Sequence, residues 1–184
     1  MTSVAIIPAK GSSKRIPRKN IKLFHGKPII AYSIMAAKMS GLFDKVFVST
    51  NDREVSMVAS DYGARTLWRP DGLCEIGEPD CGTQFVIRHH LMNMETKYDY
   101  ACCIYPCAPM LSDLDLHFAS KQDQFRYVYS EGVFYYGRAK QFINKPDDFS
   151  YSLKITKDKF IDINTESDWI RAEKIYTKLH KVAA

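Results

Sequence analysis

The densest chemistry in this chain lies over residues 9–22, AKGSSKRIPRKNIK. Lys10, Lys14, Arg15, Arg18, Lys19 and Lys22 surround the small residues Gly11, Ser12 and Ser13. Cations this close repel one another unless water or an anion spreads the charge. Small residues let backbone N–H groups come close to oxyanions, so Gly11 and its neighbours suit phosphate oxygens. A polyphosphate fits. The stretch is neither the P-loop pattern nor the dinucleotide fingerprint, because the further glycines are missing. A solvated basic loop is the competing reading, and position decides between the two.

That position is informative. The stretch follows SVAIIP, a short β-branched and apolar run that reads as a buried strand. In open α/β sheets, ligands bind beyond the carboxyl ends of the strands, where such loops gather. Residues 28–41, PIIAYSIMAAKMSG, then read as a helix with proline in its first turn and Gly41 as its stop. Residues 44–50 read as a second strand, and Asp52 caps a helix that Gly63 ends. A short strand over 64–68 leads into a Gly/Pro-rich loop over 69–81. A third helix is expected over 82–97, and a fourth strand over 98–105. Ser112 caps a further helix reaching about Lys121.

Strand and helix alternate throughout this stretch, and the strands are apolar on both faces. That predicts a doubly wound α/β sandwich with a mostly parallel sheet and helices on both sides. After Gln122 the pattern loosens. Residues 132–136 and 151–163 are strand-like, and 165–182 form a closing amphipathic helix with Thr165 as cap. No repeat, low-complexity tract or linker interrupts the chain, so one domain is expected.

Composition sets outer bounds. A chain of 184 residues with 46% hydrophobic and 26% charged residues can bury a core and is not disordered in kind. No apolar run approaches the ~20 residues that a membrane helix needs, so no spanning segment is expected; charge alone leaves an anionic membrane surface open, though no membrane partner is expected. The N-terminus lacks the basic flank and long apolar stretch of a secretory signal. The net charge of +5 suits an anionic partner without naming it. Its concentration in one loop, rather than along a helix, argues against nucleic acid.

Cys74, Cys81, Cys102, Cys103 and Cys107 are odd in number and lack zinc-finger spacing. Free thiols in a reducing cytoplasm are the expectation. His89 and His90 are adjacent and point apart on a helix, which disfavours a metal pair. Asp113 and Asp115 suit the first turn of their helix. Phe134, Tyr135 and Tyr136 read as a packed strand.

The string PAKGSSKRIPRKNIKLFHGKPIIAYSI resembles the N-terminal signature of the acylneuraminate cytidylyltransferases, the CMP-sugar synthetases, and most of all their pseudaminic acid branch. FDKVFVSTND, WRPDGL, YDYACCIYPCAPML, EGVFYYGRAKQF and FIDINTESDWIRAE follow in the family's order. The resemblance implies a Rossmann-like fold of the nucleotide-diphospho-sugar transferase type. It implies a homodimer, a magnesium requirement, and transfer from CTP to an acidic nine-carbon 2-keto sugar with release of pyrophosphate. By position it implies nucleotide contacts for Lys10, Gly11, Lys14, Lys19, Asn20, Arg69 and Thr83. Lys10 and Lys19 would act at the triphosphate during catalysis, Asn20 would read the cytosine, and Asp162 with Asn164 would stand at the metal.

Three departures qualify this. Lys10 and Ser12 stand where the family has arginine and a second glycine. The sugar-binding and dimer-forming extension is shortened near residues 120–128, so a weaker dimer is expected. Asn164 stands where a second metal-binding carboxylate is expected. Asp162 and Asn164 alternate along a strand-like stretch and so share a face. An amide is a weaker magnesium ligand than a carboxylate. CTP binding with low turnover is the resulting expectation.

Overall fold

The structure, a computed structural model, describes residues 1–13, 15–70, 73 and 82–181. β1 (Ser3–Pro8) is buried from both sides. Its alternation sends Val4 and Ile6 into one apolar layer and Ala5 and Ile7 into the other. A short 3-10 turn (Lys19–Ile21) and a two-residue hairpin, β2 (Leu23–Phe24) with β3 (Lys27–Pro28), follow. The hairpin turn is made by His25 and Gly26, with φ of 45° and 83°. Positive φ at both positions is what a tight turn between twisted strands requires.

α1 (Ile29–Met39) starts directly after Pro28. β4 (Lys45–Thr50) leads to α2 (Arg53–Asp61), whose first N–H groups, from Glu54 and Val55, donate to the Asp52 carboxylate. β5 (Arg65–Trp68), α3 (Thr83–Asn93) and β6 (Tyr100–Ile104) continue the alternation. α4 (Asp113–Ser120) opens on a reciprocal cap between Ser112 and Asp115. β7 (Tyr127–Ser130), β8 (Phe134–Arg138), α5 (Ala139–Asn144), β9 (Leu153–Lys154) and α6 (Glu166–Lys181) complete the described chain.

The sheet has seven strands in the order β5-β4-β1-β6-β8-β7-β9. β5, β4, β1 and β6 are parallel, β8 alone runs against its neighbours, and β9 pairs parallel with β7. Strand order reverses between β1 and β6. A crevice therefore opens beyond Pro8 and Ile104, where an open α/β sheet holds its ligand.

Several expected boundaries shift for physical reasons. α3 ends at Asn93 rather than running on to residue 97, because Met94 is extended and the Lys97 ammonium reaches back to the Met92 and Met94 carbonyls. Gly132 lies in a turn with φ 67°, so its strand begins at Phe134. Of the strand-like run over 151–163, only Leu153–Lys154 joins the sheet. Beyond it, Lys157 and Lys159 are held by the Asp115 carboxylate instead of by a backbone ladder. The α3 cap is Gly82, and Thr83 is the first helical residue. The 19–28 turn and hairpin, and β7, have no counterpart in the sequence reading.

Candidate functional site

The basic loop is anchored before it is charged. Ile16, between Arg15 and Pro17, is fully buried against a small cluster containing Phe24, Ile163 and Trp169. Asn20 is 7% exposed; its Nδ2 donates to the Lys10 carbonyl at 2.9 Å, and its Oδ1 accepts from the Cys107 thiol at 3.6 Å. One side chain thus ties the start of the loop to its end and to the segment after β6. Burial pushes the Cys107 thiol up to about 12, so it serves here as a neutral donor.

Gly11 has a reason beyond phosphate access. Its N–H donates to Asn51 Oδ1 at 3.2 Å, and a Cβ built on it would stand 2.4 Å from Asp52 Oδ2. Only glycine fits against Asp52. That carboxylate also accepts from Arg18 at 2.6 Å, and the Arg18 guanidinium holds it below the usual carboxylate range. Arg18 itself has φ 54° and reaches Glu54 as well.

The far end of the chain closes on the same loop. Lys19 Nζ donates to the Ile163 carbonyl at 2.6 Å, Arg15 Nη2 to Asn164 Oδ1 at 3.0 Å, and Lys22 Nζ to Glu166 at 2.6 Å. Asp168 accepts from the Asn164 and Thr165 N–H groups, which fixes the entry into α6. Asn164 and α6 are therefore positioned against the loop by a cap and three cation contacts.

Together these segments wall a cleft of about 1030 Å³. Lys10 stands at the end of β1, Asn51 at the end of β4, Arg69 at the end of β5, and Tyr105 and Cys107 after β6. The carboxyl ends of four parallel strands thus converge, with Lys19, Asn20, Thr83, Asp162 and Asn164 on the remaining walls. Arg69 is buried, its backbone N–H donating to the Thr50 carbonyl and its guanidinium to the Ser49 carbonyl. Ser49 Oγ meets His90 Nε2 at 2.8 Å beneath this wall. Burial, with smaller contributions from His89 and Arg69, lowers the His90 pKa to about 4 and keeps the imidazole neutral.

Eight of the nine residues singled out by sequence are described, and seven of them line this one cleft: Lys10, Lys19, Asn20, Arg69, Thr83, Asp162 and Asn164. Gly11 sits in the loop at its edge, and Lys14 lies outside the described residues. Residues 161–164 join no strand, yet Ile161 and Ile163 are buried while Asp162 and Asn164 turn outward, so the shared face persists. No group of three or more His, Cys, Asp and Glu residues is placed to hold a metal among the described residues. Asp162 offers one carboxylate to the cleft. Magnesium commonly uses one or two carboxylates together with substrate phosphates, so an ion arriving with a triphosphate suits this donor set.

Sequence reasoning did not assign sites to Asn51, Tyr105 or Gly132, all of which line the cleft. Asn51 and Tyr105 could have been found as the residues just past two buried parallel strands. Gly132 carries no such signal. The His90 imidazole is turned to Ser49 Oγ, and Cys102 and Cys103, adjacent on β6, enter opposite apolar layers. No described helix is long and apolar enough to cross a membrane.

Known proteins resemble the chain in sequence and in fold. The cytidylyltransferase family profile matches residues 4–147. Over 142 residues the chain is 37% identical to the pseudaminic acid cytidylyltransferase of Campylobacter jejuni, covering 74% of this chain and 60% of that protein. It is 32% identical over 149 residues to the N-acylneuraminate cytidylyltransferase of Escherichia coli, covering 80% of this chain and 35% of that protein. Among solved structures, CMP:2-keto-3-deoxy-manno-octonic acid synthetase complexed with CTP superposes with a TM-score of 0.73. That match covers 97% of this chain and 99% of the other at 14% identity, and so speaks to the fold. The chain spans 60% of the length of the Campylobacter relative. On the extent of the family match and the fold it shares, the chain belongs to the cytidylyltransferase family.

Proposed function

We propose that this chain binds CTP in the cleft beyond β1 and β6 and transfers its cytidylyl group to an acidic nine-carbon 2-keto sugar of the pseudaminic or sialic acid type. The anomeric hydroxyl attacks the α-phosphorus. The new bond joins sugar oxygen to that phosphorus, the hydroxyl proton is given up to water, the bond from the α-phosphorus to the bridging β-phosphate oxygen breaks, and pyrophosphate leaves. The observation that carries this reading is the convergence of Lys10, Lys19 and Arg69 with Asp162 at the switch point of the sheet.

Such a transfer asks the protein for positioning and charge stabilisation more than for covalent chemistry. Lys10 and Lys19, with Lys14, supply a positive field for the triphosphate. Thr83 offers a hydroxyl to the nucleoside. Asn20 keeps one amide hydrogen and one oxygen lone pair beyond its two internal bonds, enough to meet a cytosine edge. Asp162 would hold a divalent ion, magnesium being the usual companion of a triphosphate, which would neutralise developing phosphate charge. A cytoplasmic setting accords with the buried free thiols Cys102, Cys103 and Cys107. A homodimer is part of the proposal. With only residues 121–126 between α4 and β7, we place its strength below that of longer relatives.

Isothermal titration with CTP, UTP and ATP tests the nucleotide reading. CTP is expected to bind most tightly, and Lys19→Ala to weaken it by about 1.5–3 kcal/mol, the cost of one charge-assisted contact. Equal affinity for all three nucleotides would remove base recognition, and an unaffected variant would remove the loop from the site.

A further inference from the structure

Four of the loop cations, Arg15, Arg18, Lys19 and Lys22, divide into two pairs by the charge of the acceptor that holds them. Arg18 is bound by the carboxylates of Asp52 and Glu54, and Lys22 by the carboxylate of Glu166. Neither lines the cleft. Lys19 is bound by the neutral Ile163 carbonyl, and Arg15 by the neutral amide oxygen of Asn164. Both line the cleft. Neutral acceptors aim a cation without cancelling it, whereas a carboxylate in the same place forms an ion pair and removes most of its field.

Arg15 and Asn164 are 149 positions apart, and their contact at 3.0 Å joins the basic loop to the segment before α6. An arginine fork matches phosphate oxygens in a bidentate way that lysine cannot. The amide oxygen that receives the guanidinium is also poorly placed to receive a dication, because two positive groups would compete for one neutral atom. Asp162 keeps its carboxylate for that purpose.

We propose that Arg15 is a substrate-phosphate-binding residue, aimed by Asn164, which contacts the pyrophosphate portion of the bound nucleotide. Asn164 is then a positioning residue for a guanidinium rather than the second ligand of a metal. This rests on the reading of the cleft as a CTP site. It also gives the amide at position 164 a purpose: an aspartate there would neutralise Arg15.

The test uses the full chain in EDTA, so that no metal enters, with CTP, CMP and inorganic pyrophosphate as titrants. Arg15→Ala is expected to weaken CTP and pyrophosphate roughly ten- to a hundred-fold while leaving CMP unchanged. Arg15→Lys, keeping the charge but not the fork, should fall between. Asn164→Asp should weaken pyrophosphate in the wild-type background, and less so once Arg15 is alanine. Arg15 is exposed, so thermal melting should show all variants folded. Wild-type affinity for CTP and pyrophosphate in Arg15→Ala would overturn the proposal while leaving the CTP reading intact. Unchanged or tighter pyrophosphate binding in Asn164→Asp would overturn the role of Asn164. Failure of the wild-type chain to bind CTP would overturn both the proposal and the reading beneath it.

Discussion

The backbone of Gly132 lies directly against the Asp162 side chain: a Cβ built on Gly132 would stand 2.3 Å from both Cβ and Cγ of Asp162. Gly132 also has φ 67°, a conformation that other residues adopt at a cost. The turn between β7 and β8 therefore determines where the cleft's carboxylate sits. Gly132→Ala is expected to lose about 1–2 kcal/mol of stability from backbone strain. It is also expected to raise the magnesium concentration needed for half-maximal pyrophosphate release, because Asp162 must shift. Urea unfolding and a magnesium titration read the two effects separately. An unchanged magnesium requirement would show that Asp162 does not depend on this turn.

Ile16 is the apolar anchor of a loop that otherwise consists of charge and small residues. Replacing it by alanine should cost about 2–4 kcal/mol, the usual range for emptying a fully buried aliphatic site. It should also weaken CTP binding through a loosened loop. Chemical denaturation and titration together check this. Loss of stability with full nucleotide affinity would mean that the loop is held by its hydrogen bonds alone.

Asp115 caps α4 and binds Lys157 and Lys159, so it fastens the segment leading to Asp162 onto the body of the fold. Burial opposes its charge, but its bonds to the two lysines and Ser112 outweigh that and hold its pKa below the usual range. A depressed carboxylate adds stability above its unfolded pKa and loses it as pH falls through the folded value. Asp115→Ala should cost about 2 kcal/mol at neutral pH, combining a lost cap with lost charge-assisted bonds. The difference between variant and wild type should shrink below about pH 4, near the ordinary aspartate value. A constant difference down to strongly acid pH would contradict the role given to its charge.

His90 works in the opposite direction. Its folded pKa of about 4 lies below the ordinary histidine value near 6.5, so the unfolded chain binds the extra proton first. Stability from this group is complete above about pH 6.5 and is lost as pH falls toward 4. His90→Gln, which can still meet the Ser49 hydroxyl, should flatten the urea midpoint across that window. An identical pH slope in wild type and variant would remove His90 as the source.

Legibility from the sequence followed distance along the chain. β1, the Asp52 cap and the Ser112 cap were readable because alternation and capping act over a few residues. The loop could be read as a candidate site because its composition is extreme and it follows a buried strand, and it does line the cleft. The 23–28 hairpin was hidden among polar residues, since only two residues pair on each side. The separation between Arg15 and Asn164 spans most of the chain, and no local pattern announces it. Gly132 escaped for a similar reason: its importance comes from Asp162, thirty positions on, pressing against its backbone. The strand expected over 151–163 failed because side-chain ion pairs to Asp115 replace the ladder there.

The central claim is cytidylyl transfer to an acidic nine-carbon sugar, and pyrophosphate release measures it most directly. The purified chain would be supplied with magnesium, one nucleotide triphosphate and one 2-keto acid sugar from a panel including pseudaminic, legionaminic, sialic and 3-deoxy-octulosonic acids. The expected result is slow release that requires both CTP and a nine-carbon sugar, and that falls with Lys19→Ala. Release that proceeds equally with ATP, or that is absent with every sugar in the panel while CTP is bound, would contradict it.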